Sequence, residues 1–84
     1  MTPASPTIVN ALASLRTMLE ADGYELELGE DGPDVLVAEI RAGPSACDEC
    51  LVPKDMMRSY FEAALRDVLE FGLPQIRLIY PADS

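Results

Sequence analysis

The apolar period of this chain changes along its length, and those changes leave few folds open. From Ile8 the period is helical. Ile8, Leu12, Leu15 and Leu19 fall at i, i+4, i+7 and i+11, one stripe of an amphipathic helix. Asn10, Ser14, Arg16, Thr17 and Glu20 lie largely off that stripe. Asp22-Gly23 ends it, because Gly23 can take the left-handed conformation that a helix C-terminus favours. The period then becomes two. Tyr24, Leu26 and Leu28 alternate with Glu25 and Glu27, a strand with one wet face.

Gly29 to Pro33 reads as a turn, and a second strand is expected from about Asp34 to Ala42. Leu36, Ala38 and Ile40 share one of its faces; Val35, Val37, Glu39 and Arg41 share the other. Gly43-Pro44-Ser45-Ala46 breaks that strand. Helical spacing returns after Pro53, a good first helical residue, with Asp55 suited to the first turn. Met57, Phe61, Ala64, Leu65 and Val68 recur on one side, with Leu69 beside them. Gly72 and Pro74 stop this helix, and Gln75 to Tyr80 reads as a short third strand with Ile76, Leu78 and Tyr80 on one face.

The expected order is helix-strand-strand-helix-strand, an α/β (α+β) class. Two helices packed on one face of a three-stranded mixed sheet bury both stripes and the apolar strand faces together. At 84 residues this is one domain's worth of chain. We expect a loose N-terminal tail over 1–6, a single domain over 7–80 and a C-terminal tail over 81–84.

Composition removes several functions. Six basic residues face fifteen acidic ones, a net charge of −9. Binding to a nucleic-acid backbone works through Lys and Arg, so no nucleic-acid partner is expected, and an anionic membrane is an equally poor one. The absence of His excludes Ser-His-Asp and Cys-His catalysis and any His-containing metal site. There is no phosphate-binding glycine loop, and no apolar stretch approaches the ~20 residues that span a bilayer. Met1 to Pro6 lacks a basic and then apolar leader pattern, so a cytoplasmic protein is expected. The acidic run Glu25, Glu27, Glu30, Asp31, Asp34 reads as a solvated hairpin face without the ligand spacing of an EF-hand.

Cys47 and Cys50 remain as the unusual chemistry, a Cys-x-x-Cys pair just before the second helix. A helix start carries roughly half a positive charge and favours thiolates, and Lys54 adds a cation. Asp48 and Glu49 oppose both. These contributions are each on the order of 1 kcal/mol in an exposed loop, so they nearly cancel, and no strongly activated thiol is expected. That weighs against a thiol–disulfide enzyme. Two loop cysteines without any role are the plain alternative. Structural zinc and ordinary iron–sulfur clusters take four protein ligands, and one chain offers two thiols. Two copies about a two-fold axis would supply four, which points to a metal or cluster held between subunits or handed between proteins.

The segment from about Leu12 to Tyr80 resembles the C-terminal domain of NifU, the Nfu-type iron–sulfur scaffold family. The first helix ends in Leu15-Arg16-x-x-Leu19-x-x-Asp22-Gly23, similar to the family's Leu-Arg-x-x-Leu-x-x-Asp-Gly-Gly. Two strands then lead to Cys47 and Cys50 at the position of the family's Gly-x-Cys-x-x-Cys. Phe61-Glu62-Ala63-Ala64-Leu65-Arg66 stands where the family has Ile-Glu-x-x-Leu-Arg, and Leu73-Pro74 precedes the last strand. Tyr24 replaces the second glycine after Asp22, and Tyr60 replaces a glycine within the second helix. The resemblance implies a non-catalytic scaffold or carrier. Cys47 and Cys50 would be its cofactor and metal ligands, holding a [4Fe–4S] cluster of iron and sulfide shared by a homodimer and passed to apo iron–sulfur proteins. Zinc could substitute for the cluster. The competing expectation is a degenerate protein-interaction module that keeps the fold without a cluster.

Overall fold

The computed structural model describes residues 2–46, 51–69 and 72–81; Cys47 and Cys50 lie outside these, as do residues 82–84 of the expected C-terminal tail. The chain has an α+β fold. Its strands are β1 (Thr2–Pro3), β2 (Tyr24–Glu30), β3 (Val35–Ala42) and β4 (Gln75–Ile79), and its helices are α1 (Pro6–Ala11), α2 (Ala13–Ala21) and α3 (Lys54–Arg66). The three-stranded mixed sheet is β2-β3-β4. β2 and β3 form an antiparallel hairpin from Tyr24↔Ala42 to Glu30↔Leu36. β4 joins β3 in parallel, Val35↔Gln75 to Glu39↔Ile79, with α3 on the crossover between them.

The tail expected over 1–6 is structured in part. Thr2 and Pro3 pair antiparallel with Glu30 and Gly29 and add a short fourth strand at the β2 edge. Ser5 accepts a hydrogen bond from the Ile8 amide at 3.4 Å, and Pro6 follows as the first helical residue. Its preset φ and missing N–H suit that position, so the helix starts two residues before its apolar stripe does. The single helix expected from Ile8 to Asp22 is divided into α1 and α2 at Leu12 (φ −97°, ψ 8°). The ladder continues through the bend, because the Leu12 amide bonds the Ile8 carbonyl at 3.1 Å and the Arg16 amide bonds Leu12 at 3.0 Å.

The apolar stripe therefore survives the bend. Ile8, Leu12 and Leu19 meet Met57, Phe61 and Leu65 of α3 over the even-numbered residues of the strands: Tyr24, Leu26, Leu36, Ala38, Ile40, Ile76 and Leu78. All helices thus cover one face of the sheet, and that shared burial is the main source of stability here. Val68 departs from its expected place in the core. α3 ends at Arg66, and Val68 is 42% exposed. Val37 departs in the other direction. It lies on the face away from the helices, yet it is 3% exposed, in register between Gly29 and Arg77.

Two arginines reach from the helices to the strand edges. Arg16 donates to the Leu26 carbonyl at 3.4 Å, beyond the two residues that β1 pairs, and Arg58 donates to the Ile76 carbonyl of β4. A charged side chain on an edge carbonyl discourages pairing with another chain's strand. On the helix-free face Arg41 pairs with Glu27 and, at 3.8 Å, with Glu39, while Arg77 pairs with Asp31 at 2.9 Å. These are exposed pairs of small energetic weight. Among the described residues no helix is long and apolar enough to cross a membrane.

Candidate functional site

The Cys47-x-x-Cys50 motif falls between the end of β3 and the start of α3, and both flanks are anchored. The leading flank is held by backbone against backbone. Gly23 closes α2 at φ +87°, where side chains rarely go. A Cβ on Gly23 would sit 2.7 Å from the Ser45 carbonyl oxygen and 2.8 Å from the Ala46 Cα and amide nitrogen. The Gly43 amide donates to the Gly23 carbonyl at 2.9 Å, and a Cβ on Gly43 would come 2.8 Å from that same oxygen. The turn after α2 and the chain leaving β3 therefore touch at a distance that two glycines permit and larger residues do not. Ala46, the last described residue before Cys47, packs partly buried against the core.

The trailing flank is held by side chains. Leu51 and Val52 are partly buried against the core. The Tyr80 hydroxyl donates to the Val52 carbonyl at 2.6 Å. Lys54, the first residue of α3, places Nζ 5.6 Å from the centroid of the Tyr80 ring, within cation–π range. Burial pushes the Tyr80 hydroxyl pKa above its ordinary value. Pro53 stands at the N-cap rather than at the expected first helical position, and α3 propagates from it through the Met57 amide to the Pro53 carbonyl at 3.0 Å. Pro53 has no side-chain oxygen to bond the first-turn N–H groups, so the partial positive charge of the α3 start is met within the helix by the Asp55 carboxylate alone. Asp55 occupies the first turn as expected.

A shallow groove of about 280 Å³ adjoins the leading flank, lined by Glu20, Gly23, Tyr24, Glu25, Gly43, Pro44 and Ser45. Its two carboxylates, Glu20 and Glu25, give the leading flank an acidic rim, while on the trailing flank the Lys54 cation is followed by the Asp55 carboxylate. Among the described residues no group of three or more His, Cys, Asp or Glu could hold a metal ion. Cys47, Asp48, Glu49 and Cys50 lie outside those residues.

Sequence reasoning located the motif between β3 and α3 and missed both anchors. Gly23 was legible as a helix stop, but its contact with Gly43 joins positions from two different connections. Tyr80 was legible as a core-facing strand residue; its hydroxyl partner is 28 residues away and a backbone carbonyl, for which the sequence carries no signal. No protein-family model, curated protein or solved structure matches the chain.

Proposed function

We propose that this chain is a NifU C-terminal-like iron–sulfur carrier of the cytoplasm, a scaffold without catalytic activity of its own. Cys47 and Cys50 are its ligands, two copies share one [4Fe–4S] cluster, and apo-proteins receive it. The observation that carries the reading is the anchoring of the motif. The segment bearing both cysteines is flanked by the Gly23–Gly43 contact and the Tyr80–Val52 hydrogen bond, in the strand-to-helix position that the resemblance implies. Rigid flanks hold ligands at a restricted separation, which metal and cluster sites require. The α3 start and Lys54 offset part of the negative charge of bound thiolates. The count of two thiols per chain supports a second copy as the source of the others.

Anaerobic reconstitution with iron and sulfide tests this reading. The wild type is expected to gain a visible charge-transfer band and to dimerise, and Cys47→Ser to do neither. A colourless, monomeric wild type rejects the proposal. Elemental analysis of protein purified without air separates a cluster from zinc.

The acidic rim of Glu20 and Glu25, with Asp48 and Glu49 inside the motif, favours a second reading, an interaction module that holds no anionic cluster. It predicts that the Cys47→Ser, Cys50→Ser double variant keeps both its fold and its partner binding.

A further inference from the structure

α3 carries two apolar stripes, and the fold uses one of them. Met57, Phe61 and Leu65 are buried against the sheet. Met56, Tyr60 and Ala63 recur at i, i+4 and i+7 and form a second stripe that faces solvent, with Met56 47% and Tyr60 38% exposed. Single exposed apolar residues are ordinary, but three aligned on one helix face make the pattern of a helix-on-helix seam. The charges beside this stripe are ordered too. Asp55 and Arg66 are both exposed, and eleven positions separate them, close to three turns of ~3.6 residues. They therefore share one border of the stripe, at its opposite ends, with Ser59 and Glu62 between them. Among the described residues neither Asp55 nor Arg66 is in an ion pair.

We propose that the Met56–Tyr60–Ala63 stripe is a docking surface for a second copy of this chain, with the two α3 helices packed antiparallel. The charges select both that occupant and that direction. A two-fold axis at Tyr60 lays each stripe on the other and keeps each border facing the same border of its twin. Asp55 of each copy then meets Arg66 of the other, and opposite charges face each other at both ends of the seam. Parallel packing would instead leave Asp55 level with Asp55 and Arg66 level with Arg66. With two large apolar side chains per copy in the seam and a net charge of −9 on each chain, the pairing is weak, with a Kd on the order of 100 µM. It needs neither metal nor thiols, so it goes beyond the shared-cluster reading. At low micromolar protein the Cys47→Ser chain stays monomeric, as that reading expects.

Sedimentation equilibrium of the full chain, kept reduced and with a chelator present, is the test. The wild type is expected to pass from monomer to dimer between about 10 µM and 1 mM. Asp55→Arg leaves two cations on the border and Arg66→Asp leaves two carboxylates, so each alone is expected to raise the Kd at least about tenfold. An equimolar mixture of the two variants is expected to pair within about threefold of the wild type, since each border then meets its opposite. Net charge by itself gives the contrary result, because Asp55→Arg moves the chain from −9 toward zero and so favours association. Tyr60→Gln removes the centre of the seam and keeps a good helix former. It is expected to weaken pairing about tenfold, and it reads the seam should a charge variant fail to fold. Met18→Gln, on α2 and 42% exposed, is expected to change nothing. A wild type that is monomeric at about 1 mM overturns the proposal. So does a mixture that pairs no more tightly than its components, or an equal loss in Met18→Gln. Iron takes no part in the measurement, so a failed cluster reconstitution and a failed pairing are read separately.

Discussion

The two flanks of the Cys47–Cys50 segment are held by opposite means. Before Cys47, Gly23 and Gly43 let two backbones meet, and the fit depends on what is absent, a Cβ at either position. After Cys50, the Tyr80 side chain reaches across to the Val52 carbonyl and to Lys54, beside the packing of Leu51 and Val52, and this part of the fit depends on a hydroxyl proton and a charge. The first kind of anchor is steric, close to all-or-none and indifferent to solvent conditions. The second is graded, since each of its contacts can be removed alone and one of them titrates.

The largest effect should come from breaking the steric flank. Gly23→Ala forces a left-handed alanine and a contact of 2.7 Å with the Ser45 carbonyl oxygen. It should cost on the order of 3 kcal/mol, a fall in Tm of at least about 10 °C by calorimetry. Gly43→Ala meets only the Gly23 carbonyl, at 2.8 Å, and should cost roughly 2 kcal/mol. Equal and small losses in both would show that the two backbones can part cheaply.

A smaller effect should mark the titrating flank. Burial raises the Tyr80 pKa above its ordinary value of 10.0, so folding favours the neutral phenol. Its contribution is fully present below the unfolded value and is lost as pH rises through the raised folded one. Tyr80→Phe should lower stability by about 1 kcal/mol at neutral pH. The gap to the wild type should close in strongly alkaline solution, as denaturant titrations across that range would show. A gap that stays constant above the tyrosine range would mean the Val52 contact carries none of it. The smallest change is expected from Lys54→Met, about 0.5 kcal/mol for a cation over an accessible ring, reduced no further by added salt in the variant.

Legibility followed the range of the interaction. The period-two stretches at Tyr24, Leu26, Leu28 and at Leu36, Ala38, Ile40 became paired strands with those residues on one face, because alternation is a local property of extended backbone. The stripe on α3 became the buried Met57, Phe61 and Leu65 for the same reason. Val68 kept the helical spacing and still fell outside the core, since α3 stops at Arg66 and spacing says nothing once the helix has ended. Val37 was buried without a helix above it, through its central place in the sheet between β2 and β4. The pairing of Thr2 and Pro3 with Glu30 and Gly29 could not be read from two residues that carry no period at all.

At the site the division is sharper. Local chemistry sufficed to set the thiol motif between a strand and a helix, to count its donors and to end α2 at a glycine. Tertiary packing alone brought the Gly23 turn against Gly43 and carried the Tyr80 hydroxyl to the Val52 carbonyl. Both contacts involve backbone groups, which every residue possesses alike; only the path of the folded chain selects which of them meet.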